Sequence, residues 1–65
     1  MPRRRAYNYR DIERLSLRQR QVMLLAKEGL KDREIAAVLG ISKGTVEATL
    51  KIIYDKLNVR DRRKL

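Results

Sequence analysis

The stretch GISKGTVEATLKIIYDKL, residues 40–57, decides the fold. A glycine, a serine suited to cap a helix and a long amphipathic run follow one another directly. Val46, Leu50, Ile53 and Leu57 recur at three- and four-residue steps, the single apolar stripe of an α-helix. With Val46 set at zero and each residue advanced by about 100°, the other three stay within about 40° of it. They are read as core, and the spacing predicts a helix over 43–57 with Ser42 as its cap. Its opposite face carries Gly44, Glu47, Ala48, Lys51 and Asp55, flanked by Thr45, Thr49 and Ile52. That face has no evident stabilising pattern, so its purpose lies outside the helix.

Working outward, Gly40 closes a shorter amphipathic run over 32–39, in which Ile35, Ala36 and Leu39 share a face and Asp32 serves as cap or first-turn charge. Before it, Ser16 and Gln19 have capping-box spacing. Val22, Leu25 and Ala26 continue the period, predicting a helix over 17–28 closed by Gly29. Residues 8–15 suit either a short extra helix capped by Asn8 or a linker. After Leu57, Asn58 suits a C-cap, and residues 61–65 leave room for only a fraction of a fourth helix. No alternating strand pattern occurs. The expected fold is all-α: a small helix-turn-helix domain of three main helices over 15–65, a truncated fourth helix, and a basic N-terminal arm or short extra helix over 1–14.

The 65 residues hold 17 Lys and Arg against 8 Asp and Glu, a net charge of +9. Seven basic and two acidic groups fall in residues 1–20, and four and one in residues 58–65, so both ends are basic and the middle is nearly neutral. Charge of this size and clustering points to a polyanionic partner, nucleic acid first. Cysteine and histidine are both absent, which excludes disulfides, thiolate nucleophiles, imidazole bases and the usual zinc sites within these residues. With scattered carboxylates and no phosphate-cradling glycine loop, the reading is no enzyme, no metal, no cofactor and no small-molecule ligand. No apolar run approaches the roughly 18 residues that span a bilayer. A soluble, cytoplasmic, nucleoid-associated protein is expected.

Two helices joined by LGIS, the second longer and starting at a serine cap, have the layout of a helix-turn-helix, whose later helix enters the major groove of DNA by its N-terminal part. Over residues 15–62 the chain resembles the LuxR-type (GerE-like) helix-turn-helix domain of bacterial transcription regulators. The matching pieces are EGL, EIA, LGIS, TV, KL and VRDR, in that order and spacing. The resemblance implies a module that binds double-stranded DNA at promoters as a dimer, with the helix over 43–57 in the major groove and a fourth helix forming the dimer contact. The C-terminal segment suggests a weak homodimer or a substitute surface drawn from Tyr7, Tyr9, Ile12 and Ile52. Carried over by position, Lys43, Gly44, Glu47, Ala48 and Lys51 face the bases. Phosphate contacts fall to Lys31, Arg33, Thr45, Thr49 and Lys56, and to an arm carrying Arg3, Arg4 and Arg5.

Where such domains often show lysine, this chain has Gly44 and Glu47, and Thr49 stands where a His or an Arg-rich triplet is common. The usual Ser or Thr cap of the helix over 32–39 is replaced by Lys31, leaving Asp32 to serve. Glutamate accepts a hydrogen bond from cytosine N4 but repels phosphate, so Glu47 implies an altered sequence preference. Two other readings compete: a sigma-factor region 4-like module, which EIAAVLGISKGTV also resembles, and a helix-turn-helix turned to binding a protein partner, as an anti-activator or adaptor, through Glu47, Asp55 and Ile52.

Overall fold

The computed structural model describes residues 9–65. Among them every regular element is helical: α1 (Tyr9–Glu13), α2 (Leu17–Lys27), α3 (Asp32–Leu39), α4 (Lys43–Leu57) and a closing 3-10 turn (Arg62–Lys64). Of the two readings open for residues 8–15, the short helix is the one formed.

Each boundary has a local cause. Ser16 Oγ accepts the Gln19 amide at 3.2 Å while Gln19 Oε1 accepts the Ser16 amide at 2.9 Å, the capping box that starts α2. Helix α2 ends at Lys27, one residue earlier than the periodicity suggests. Gly29 at φ 97° turns the chain there, and the Leu30 amide reaches back to the Leu25 carbonyl at 3.2 Å. Gly40 at φ 67° closes α3 in the same manner, with the Ile41 amide on the Ala36 carbonyl. Asn58 closes α4 at φ 56°, and the Val59 amide bonds the Tyr54 carbonyl at 2.9 Å.

At the start of α3, Asp32 takes the second of the two roles open to it, a charge in the first turn. It does not cap the helix. The Lys31 side chain, which has no acceptor, occupies the cap position, and Glu34 Oε1 instead takes the Lys31 amide at 2.7 Å. Asp32 pairs with Arg62, whose guanidinium also donates to the Leu30 carbonyl. This pair latches the 3-10 turn onto the beginning of α3. Asp61 caps that turn by accepting the Arg63 amide at 2.9 Å.

Val22, Ile35, Val46, Ile53 and Leu57 are sealed from solvent, with Leu15, Met23, Ala26, Ala36, Leu50 and Val59 around them. All four stripe residues of α4 are thus core, and α4 packs against both α2 and α3. Ile12 brings α1 onto this core, and Tyr54 and Leu65 cover its edge. The carbonyls at the end of α1 find cationic partners on other helices: Arg20 donates to Glu13 and Lys56 to Arg14, each at 3.2 Å. Burying one stripe of α4 against α2 and α3 leaves its polar side facing out, and the left-handed turn at Gly40 aims that side.

Candidate nucleic-acid interface

The first two turns of α4 are anchored at Ser42. Its Oγ accepts the Thr45 amide at 3.0 Å and lies 2.8 Å from Thr45 Oγ1. From this anchor Lys43, Gly44, Glu47, Ala48 and Lys51 all reach solvent. Gly44 is informative. A methyl group added there would meet nothing closer than Ser42 Oγ at 3.9 Å, and its φ is not in the left-handed region. Glycine inside a helix costs about 0.5–1 kcal/mol relative to alanine, and nothing in the fold requires it at this position. The bare backbone is presented outward.

The beginning of α3 stands beside these turns. Lys31 and Arg33, both exposed, share one open groove of about 600 Å³ with Lys43, Glu47 and the Asp32–Arg62 pair. On its α4 side, Lys43 Nζ and Glu47 Oε2 approach to 3.6 Å. A second open groove of about 690 Å³ continues along α4 past Ala48, Lys51, Ile52 and Asp55 to Arg60. Asp61, which lines the first groove, has its carboxyl held below the usual carboxylate range, chiefly by the Arg63 side chain and then by the Arg63 backbone amide.

The structure therefore brings together Lys31, Arg33, Lys43, Gly44, Glu47, Ala48 and Lys51 on one side of the molecule. Thr45 is exposed, with its hydroxyl 2.8 Å from Ser42 Oγ. Thr49 and Lys56 are committed elsewhere. The single proton of Thr49 Oγ1 is donated to the Thr45 carbonyl at 2.7 Å, leaving no donor for a phosphate oxygen. The Lys56 ammonium is turned inward onto the Arg14 carbonyl and Gln19 Oε1 at 3.2 Å each, joining α4 to the capped start of α2. Periodicity gives the angle of Lys56 around α4 but not the neighbour waiting there. Arg3, Arg4 and Arg5, like Tyr7, lie outside the described residues. Two residues were missed as individuals: Arg60, at the far end of the polar face, and Arg62, which neutralises Asp32 between Lys31 and Arg33. Both lie in the basic VRDR segment, which was the available signal.

The model describing "Bacterial regulatory proteins, luxR family" matches residues 13–65. This chain belongs to that family. YhjB of Escherichia coli (strain K12) is 40% identical over 53 residues, covering 82% of this chain and 26% of YhjB. SgaR of Hyphomicrobium methylovorum is 40% identical over 55 residues, 85% of this chain and 26% of SgaR. A protein of Aeromonas salmonicida is 45% identical over 53 residues, 82% of this chain and 27% of that protein. The first and third are named as HTH-type transcriptional regulators and the second as a transcriptional regulatory protein. The luxR-family chain thus spans about a quarter of the length of these relatives. No helix among its described residues is long and apolar enough to cross a membrane.

Proposed function

We propose that this luxR-family chain is a transcription regulator's DNA-binding module, which reads duplex DNA sequence-specifically with the N-terminal half of α4 in the major groove. The observation that carries the reading is the outward face of α4. It is polar, lacks a side chain at Gly44 where the fold would accept one, and is framed by Lys31 and Arg33. A helix whose backbone is bare at its leading turns approaches base edges closely, while cations to one side hold the phosphates that fix its register. Lys43, Gly44, Glu47, Ala48 and Lys51 form the base-facing set. Lys31, Arg33 and the Thr45 hydroxyl form the described part of the phosphate set, to which Arg3, Arg4 and Arg5 add an arm. The net charge of +9 steers the chain to DNA before any base is read.

The test is fluorescence anisotropy with a labelled duplex across a salt series. Affinity should fall steeply with salt, and each of Lys31→Ala and Arg33→Ala should reduce the slope of log K against log salt by about 0.9. No duplex binding even at low salt, where phosphate contacts are strongest, would favour the protein-partner reading instead.

A further inference from the structure

Resting on the placement of α4 in the major groove, we infer that Lys43 and Glu47 act as one unit that reads a single G·C base pair in one orientation. The two side chains stand one turn apart, both 54% exposed, with Nζ and Oε2 at 3.6 Å. An exposed pair of this kind contributes little to stability, so the fold does not account for it. A carboxylate is also the wrong charge to set beside phosphates, and Glu47 sits in the groove whose cations, Lys31 and Arg33, serve that purpose. What the pair offers is a donor-only ammonium next to an acceptor-only carboxylate.

The major-groove edge of a G·C pair presents the complement. Guanine shows acceptors at N7 and O6, and cytosine N4 is the donor beside O6. O6 and N4 are bonded to each other at about 2.9 Å, as any N–H···O pair is, a spacing close to that of the two charges. Lys43 donates to guanine O6 and N7 while Glu47 accepts from cytosine N4. Each charge leaves a weak solvated partner for a stronger charge-assisted one. Two of the other pairs fail in the same register, while T·A keeps thymine O4 for the ammonium and the adenine amino group for the carboxylate but sets the thymine methyl where guanine N7 would accept. An A·T pair sets the adenine amino group against the ammonium, and thymine O4 with its methyl group against the carboxylate. The reversed C·G pair sets the cytosine amino group against the ammonium and guanine N7 against the carboxylate.

The experiment is enrichment sequencing of a random duplex pool bound at about 100 mM salt by the wild-type chain and by Lys43→Ala, Glu47→Ala and Glu47→Gln. The wild type should enrich a motif with one position read as G·C by about tenfold or more over A·T and C·G, with T·A the next best pair. In Lys43→Ala and Glu47→Ala that position alone should relax to about twofold, with the rest of the motif unchanged. Glu47→Gln should move it toward T·A, the pair that sets adenine on the residue 47 side, because an amide both donates and accepts at adenine N7 and N6. A motif unchanged at every position in all three variants overturns the paired reading and leaves the placement of α4 standing. A wild type that enriches nothing overturns that placement, and the inference with it.

Discussion

Replacing Arg62 by alanine removes the latch between the closing 3-10 turn and the start of α3. The Arg62 and Asp32 side chains are 30% and 26% exposed, so the pair is only partly screened by solvent. Two charge-assisted contacts are lost, one to the Asp32 carboxylate and one to the Leu30 carbonyl. Hydrogen bonds to charged groups contribute about 1.5–3 kcal/mol each when buried. Partial exposure puts each near or below the bottom of that range, giving a loss of about 2 kcal/mol. In a domain of this size 1 kcal/mol shifts Tm by about 4–8 °C, so Arg62→Ala should melt about 8–16 °C lower by circular dichroism. Asp32→Asn keeps a weaker hydrogen bond and should lose about half as much, and a double-mutant cycle should return a coupling near 1 kcal/mol. The variant also leaves Asp32 unneutralised between Lys31 and Arg33, so DNA affinity should fall in buffer where the fold persists. A Tm drop under about 3 °C, with additive single variants, would reduce the latch to an ordinary surface ion pair and refute the reasoning.

Gly44→Ala should raise stability by about 0.5–1 kcal/mol, since the added methyl makes only an ordinary contact with Ser42 Oγ at 3.9 Å, yet weaken duplex binding; parallel melting and anisotropy measurements check both signs. Gly40→Ala should instead lose about 1–2 kcal/mol, because its φ of 67° penalises any β-carbon even where space is free. Ile53→Ala, at a fully buried position, should cost about 2–5 kcal/mol and leave little folded protein at room temperature by circular dichroism. Asp61 should titrate below the usual aspartate midpoint by NMR. Its depressed carboxyl contributes stability above the unfolded pKa that is lost as pH falls through the folded one, and Arg63→Ala should move the midpoint only part of the way back, because the backbone amide of residue 63 still donates to the carboxylate.

The stripe Val46, Leu50, Ile53 and Leu57, the Ser16–Gln19 box and the glycines at 29 and 40 were legible because each is a local signal: a period, a reciprocal cap or a left-handed turn. What escaped sequence reading was decided by neighbours distant along the chain. Asp32 has the right type and position for a helix start, but its partner is Arg62, thirty residues on. Lys56 shares the angular range of Thr45 and Thr49 around α4, yet the junction of α1 and α2 covers that side at the helix end and draws the ammonium inward. Gly44 shows the converse. Its place on the outward face was plain from spacing, but only the structure reveals that the fold would accept a side chain there.

The most direct measurement of the central claim is the change in backbone amide NMR shifts as duplex DNA is added to the labelled chain. The largest changes should fall on residues 31–33 and 42–51, while the exposed apolar residues Leu17 and Leu24 on α2 stay unmoved. Changes centred on α2, with residues 42–51 silent, would contradict it.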